Sequence, residues 1–106
     1  MVLEEHAEDF AELEEKVSQA FVTDAQTAAR AIRKATGVPR INYAILGNEE
    51  PHVHFHLIPR GHANDPIRTR PPWEHPNKKV ELADSEIQRL IGDIQLALSQ
   101  IGAQVE

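Results

Sequence analysis

The chain contains no cysteine. Disulfides, thiol nucleophiles and thiolate zinc sites are therefore excluded, and no redox compartment is implied. No apolar run approaches the roughly 20 residues of a membrane span, and no signal-peptide pattern opens the sequence. A soluble, cytoplasmic protein without a membrane partner is expected. Basic charge is also scarce: 11 Lys and Arg face 17 Asp and Glu, a formal net charge of -6. A general nucleic-acid surface needs clustered basic side chains, so no nucleic-acid partner is expected. A small anionic ligand in one local pocket remains compatible with this balance. What is present suits one domain with a modest core: 106 residues, 41% of them hydrophobic, with no repeat and no low-complexity segment.

Half of the six histidines fall within five residues, at His52, His54 and His56. Val53, Phe55, Leu57 and Ile58 fill the places between and after them. In a β-strand alternate side chains point to opposite faces, so the three imidazoles would line one face and the apolar residues the other. Imidazole has the unperturbed side-chain pKa nearest neutrality. A row of three is suited to moving protons, attacking phosphorus or binding a metal.

The remaining sequence supplies the scaffold. Phe10, Leu13, Val17, Phe21, Ala25, Ala28 and Ile32 form the stripe of an amphipathic helix, placed at about Glu12 to Ala35. Gly37 and Pro39 stop it. Ile41 to Leu46 reads as a strand, Gly47-Asn48 as a turn, and His52 to Ile58 as the second strand of an antiparallel hairpin closed by Pro59. Tyr43 is expected in the core. Gly61 to Pro76 is a loop containing Trp73, and its length suits a functional segment. Lys79 to Leu82 reads as a short strand or extended arm. A last helix, capped by Asp84 or Ser85, carries Ile87, Leu90, Ile91, Ile94, Leu98 and Ile101 and stops at Gly102. A lone hairpin is marginal in water and leaves two open edges. A homodimer that completes the sheet is therefore expected, with a small two-layer monomer as the alternative.

Residue types alone leave three readings of the triplet. In phosphoryl transfer, a neutral imidazole nitrogen attacks phosphorus and a neighbour protonates the leaving group. The nucleophile's other nitrogen must then be held by an acceptor, commonly a backbone carbonyl. His54 has a histidine roughly 6–7 Å away along the strand on each side, which makes it the natural nucleophile. In a metal site, His-x-His gives two ligands, and His6, His62, His75, Glu49 or Glu50 would give a third. In the third reading the histidines are simply the polar face of a half-exposed strand.

The stretch Pro51 to Ile58 resembles the signature of the histidine triad (HIT) superfamily: three histidines, each followed by an apolar residue, ending in two. The resemblance covers about Met1 to Arg60. It implies an α+β HIT-like antiparallel sheet with a long helix packed on it and a C-terminal helix appended. It also implies one domain over 1–106, divided into a triad core (1–60), a loop or arm (61–83) and a C-terminal helix (84–102). Members of the family are nucleotide hydrolases and transferases. They act on the α-phosphate of dinucleoside polyphosphates, such as diadenosine tetraphosphate, or of nucleoside phosphoramidates, through a nucleotidyl-histidine intermediate and without a metal in the chemical step. Carried over, His54 is the nucleophile, with His52 and His56 flanking it. Asn48 and His6 contact the substrate, an adenine nucleotide is the expected ligand, and no cofactor or metal is implied. Family members usually carry further N-terminal strands that build the base and ribose pocket. Measured against them this chain reads as N-terminally shortened, which leaves a catalytically impaired nucleotide-binding or regulatory module, or a His-ligated metal protein, as alternatives.

Arg60, Arg68 and Arg70 follow the triplet, and their forks suit phosphate oxygens. Arg60 is accordingly a candidate substrate contact. Trp73 is another, by stacking on a base, although it could equally pin the loop to the core. The acidic run Glu4, Glu5, Glu8, Asp9, Glu12, Glu14 and Glu15 reads as a solvated face that favours a helix N-terminus. Glu49 and Glu50, beside the triplet, would repel a phosphate unless they point to water.

Overall fold

The computed structural model describes residues 1–4, 6–63, 65–76 and 81–105. They form an α+β arrangement: helix α1 (Glu15–Thr36), strands β1 (Arg40–Ala44) and β2 (His56–Arg60), and helix α2 (Asp84–Val105). One-turn 3₁₀ helices lie at Phe10–Glu12 and Pro72–Glu74. The expected arm at Lys79 to Leu82 lies partly outside the described residues, and Glu81 and Leu82 are not in a strand.

Helix α1 begins later than the apolar stripe suggests, because Asp9 caps a 3₁₀ turn instead, its side chain accepting from the Ala11 N–H. The helix ends at Gly37, whose φ of 73° is left-handed and whose N–H donates to the Arg33 carbonyl. Phe21, Ala25 and Ala29 are buried at four-residue intervals and form its inner line. Ala31 is buried off that line, and α2 also packs along α1.

The hairpin is antiparallel, with Arg40 opposite Arg60, Asn42 opposite Ile58 and Ala44 opposite His56. It is shifted from the sequence expectation. β2 runs on through Pro59, which pairs with Ile41, and residues 52–55 take a different partner. Their backbone pairs with the N-terminal segment: Leu3 N–H donates to the Val53 carbonyl, Phe55 N–H to the Met1 carbonyl and Val53 N–H to the Ala7 carbonyl. Val2 and His54 form an antiparallel bridge. A chain segment read only as an apolar stub therefore supplies sheet pairing beside the triplet.

Two apolar clusters hold helix and sheet together. Leu3, Phe21 and Val53 form one, flanked by Ala7, Phe10, Leu13, Val17 and Phe55. Ala29, Val38 and Ile41 form the other, with Ile32 and Leu57 against it. The rings of Phe21 and Phe55 lie 5.0 Å apart between centroids. Tyr43 is not in the core. It is 54% exposed, because the apolar cluster over the hairpin forms around Ile41 and Leu57 and leaves Tyr43 at its margin. On α2, Leu90 and Ile94 are half-buried and Ala97 is buried, whereas Ile87, Ile91 and Leu98 remain exposed. The helix also passes through Gly102 without a left-handed turn, since a glycine inside a helix costs only about 1 kcal/mol.

After β2 the chain turns at Gly61, where φ is 85° and a Cβ would meet Pro39 Cγ at 2.9 Å. The turn is fixed by a buried ion pair. Arg60 Nε donates to Asp65 Oδ2 at 2.9 Å, and its other nitrogens donate to Asn42 Oδ1 and the Ile67 carbonyl, both at 2.7 Å. Asp65 also accepts from the Gly61 and Ile67 backbone N–H groups. Its carboxyl is held well below the usual carboxylate range, first by the Arg60 hydrogen bond and then by the Gly61 N–H, with burial opposing the shift.

Two tests follow from this packing. Phe21→Ala is expected to lower unfolding stability by about 3–5 kcal/mol in chemical denaturation, since it empties the cluster beneath the triplet. A value under about 1 kcal/mol would mean that the cluster is not packed as described. A carboxylate with a depressed folded pKa contributes stability above its unfolded pKa, near 4, and loses it as pH falls toward the folded value. Thermal melts of the parent protein are expected to drop below about pH 4 more steeply than those of Asp65→Asn. Parallel acid limbs would remove Asp65 as a source of that pH dependence.

Candidate active site

The backbone bends at His52, and from there to His56 the triplet is sorted from its apolar neighbours. Val53 is buried and Phe55 half-buried in the cluster around Phe21, while His52, His54 and His56 lie outside it. This alternation is what period-two spacing dictates for a segment covered on one side.

Each ring has a defined partner. His52 Nε2 lies 2.7 Å from the Leu3 carbonyl. A carbonyl only accepts, so this nitrogen carries the proton. His54 Nδ1 lies 2.7 Å from the His52 carbonyl and is protonated for the same reason. In the neutral ring the lone pair of His54 is therefore on Nε2. That nitrogen is 3.1 Å from His56 Nε2, which is left as the donor. The His54 and His56 rings meet edge to face at 4.8 Å between centroids. His6, exposed, sits edge-on to His52 at 5.5 Å.

An open cavity of about 440 Å³ adjoins the cluster, lined by His52 and His54, Asn48 from the turn, Phe10, Leu46 and Asp9, among others. Its lining is more polar than apolar, with Glu8, Asp9 and Asn48 beside the two histidines. The structure thus brings together His52, His54, His56, His6 and Asn48. Glu49 and Glu50 are exposed.

Arg60 and Trp73 do not join this cluster. The expected role of Arg60 as a phosphate contact is corrected: its guanidinium is buried, and all three nitrogens are engaged by Asp65, Asn42 and Ile67. Trp73 is 61% exposed and stands beside Arg60 and Ile58 in cavities that contain none of the three histidines. It does not pin the loop to the core. Sequence reasoning missed the Leu3 carbonyl, a backbone group with no signature, and the placing of Glu8 and Asp9 on the cavity wall. Among the described residues no group of three His, Asp or Glu side chains converges to hold a metal ion. Among those residues, too, no helix is long and apolar enough to cross a membrane.

This geometry can be compared with known proteins. Residues 1–63 match the family model of the HIT domain. The chain is similar to a solved histidine triad protein from Bradyrhizobium japonicum, with 26% identity and a TM-score of 0.77, over 88% of this chain and 68% of that one. It is similar also to a histidine triad (HIT) protein from Sinorhizobium meliloti 1021, with 27% identity and a TM-score of 0.70, over 85% of this chain and 65% of that one. A histidine triad protein from Marinobacter aquaeolei VT8 shares the fold at 24% identity and a TM-score of 0.72, over 88% of this chain and 66% of that one. The chain thus spans about two thirds of the length of these proteins. No curated protein matches it in sequence. With the domain model covering more than half of its residues and the triplet held as described, the chain belongs to the HIT domain family, a superfamily of nucleotide hydrolases and transferases.

Proposed function

We propose that the protein is a histidine triad hydrolase or nucleotidyl transferase. It would act on the α-phosphate of a dinucleoside polyphosphate or a nucleoside phosphoramidate, with an adenine nucleotide as ligand. The observation that carries this reading is the 2.7 Å contact between His54 Nδ1 and the His52 carbonyl. It orients the ring and leaves Nε2 as the nucleophilic nitrogen.

The sequence of steps is a double displacement. The His54 Nε2 lone pair attacks the α-phosphorus, forming a P–N bond as the bond to the leaving group breaks. His56, the donor in the 3.1 Å contact, acts as the imidazolium: it turns from His54, gives its Nε2 proton to the departing atom and becomes neutral. Water then attacks the same phosphorus. His56 takes a proton from it, the P–N bond breaks and His54 is restored. His52, fixed by the Leu3 carbonyl, and His6 beside it give the phosphate oxygens polar neighbours. The cavity supports binding of the nucleoside: Phe10 and Leu46 offer apolar surface, and Asn48 offers an amide.

We place the whole of 1–106 in one domain and assign it a homodimeric state in the cytoplasm. The dimer is supported by the short two-stranded sheet and by exposed Ile87, Ile91, Leu96 and Leu98 on α2. Sedimentation is the test; a monomer at micromolar concentration would refute it.

His54→Ala is expected to lower turnover of diadenosine tetraphosphate and of an adenosine phosphoramidate by at least about 10³-fold, while AMP still binds in calorimetry. Parent-like turnover in that variant would remove His54 as nucleophile. Nitrogen-15 NMR at high pH is expected to show His54 protonated at Nδ1, and the opposite tautomer would contradict the carbonyl anchor.

A further inference from the structure

A second groove lies on the triad's side of the sheet, and the steps above do not use it. Directly opposed residues of an antiparallel pair share a face. Ala44 therefore shares the face of His56, Asn42 that of Ile58, and Arg40 that of Arg60. A cavity of about 530 Å³ begins at Ala44 and runs away from the triad over Asn42 and Ile58 to Arg40. Four residues of strand separate its ends, roughly 13 Å. Arg68 and Arg70 line its far side, and Trp73 completes the wall.

The chemistry of this lining is unlike the rest of the chain. A protein with a net charge of -6 gathers three exposed arginines around one groove. Arg70 is paired with Glu74 at 3.1 Å across an exposed contact, whereas Arg40 and Arg68 have no acidic partner among the described residues. Asn42 Oδ1 is taken by Arg60, which orients its amide. Trp73 is 61% exposed, a large aromatic face left to solvent beside the arginines. Guanidinium forks suit phosphate oxygens, and exposed aromatic faces suit a planar ring. The overall acidity disfavours a long nucleic acid but not one short anion.

We infer that this groove receives the leaving group, and that the leaving group carries a phosphate chain ending in a planar aromatic ring. The inference rests on the proposed function, in which His56 protonates that group. His56 stands at the junction, hydrogen-bonded to the nucleophile on one side and paired with the first residue of the groove on the other. Phosphates leaving His56 would run along Asn42 toward Arg40 and Arg68, and the ring would rest on Trp73. A phosphoramidate, whose leaving amine has neither charge chain nor large ring, makes none of these contacts. The site therefore selects a polyphosphate substrate.

The test uses two readouts on the full chain. The first is the ratio of kcat/KM for diadenosine tetraphosphate to that for adenosine 5′-phosphoramidate. It is expected to fall by about tenfold or more in Arg40→Ala/Arg68→Ala and to stay unchanged in Arg30→Ala/Arg33→Ala, a charge-matched double change at exposed positions of α1. The second needs no turnover. Trp73 is the single tryptophan, so ATP binding is read as quenching of its fluorescence, with inorganic tripolyphosphate as competitor. Quenching is expected in the parent and in His54→Asn, weakened by salt and by about tenfold or more in the double arginine variant. Absent quenching, or equal affinity in the double variant, overturns the groove, as does an unchanged kcat/KM ratio. Quenching without turnover would refute the hydrolase reading alone. Turnover with an arginine-independent ratio would refute this inference alone.

Discussion

The backbone of the triad is held from two directions, and the site's geometry depends on that. Ahead of His56 it exchanges hydrogen bonds with Met1 and Leu3; from His56 onward it pairs with β1. Beneath it, Val53 and Phe55 are set against Phe21 of α1. A segment fixed at backbone and side chain leaves the imidazoles little freedom except about their own bonds. The carbonyls of His52 and Leu3 then restrict two of the three rings further. Catalytic groups on such supports keep the tolerances that chemistry requires better than groups on loops.

The same pairing arranges charge along the sheet. At one end the histidines meet a largely polar cavity that acidic Glu8 and Asp9 also line. At the other, Arg60 and Asp65 neutralise one another in a buried pair that secures the turn. Between that pair and His56 the groove is open, with arginines along it. Arg60 thus acts on the site indirectly, by holding Asn42 and the loop that carries Arg68 and Trp73. A buried charge pair of this kind does not guarantee net stability, but it does fix geometry, because removing either partner strands the other.

The histidine triplet was legible because its information is local: the period of two that aligns His52, His54 and His56 also buries Val53 and Phe55. The stop of α1 at Gly37 was legible for the same reason, as a left-handed position that glycine adopts freely. What was not legible depends on contacts between distant residues. Pairing of Met1 to Leu3 with the triad leaves no mark in composition, and the Leu3 carbonyl could not be read from its side chain. Arg60 resembled any loop arginine until Asp65, Asn42 and Ile67 were brought around it. Tyr43 alternates correctly for the core, yet the apolar cluster above it ends before its ring. On α2 the branched residues pointed to a stripe, whereas the most buried of its described side chains is the small Ala97.

The central claim is that His54 forms a covalent bond to phosphorus. The stereochemical course at that phosphorus tests it most directly. A substrate with a chiral phosphorothioate at the α-position, hydrolysed in isotopically labelled water, should release its nucleoside monophosphate with retention of configuration, because two in-line displacements at one centre restore the original hand. Inversion would mean that water attacks directly and would contradict the account.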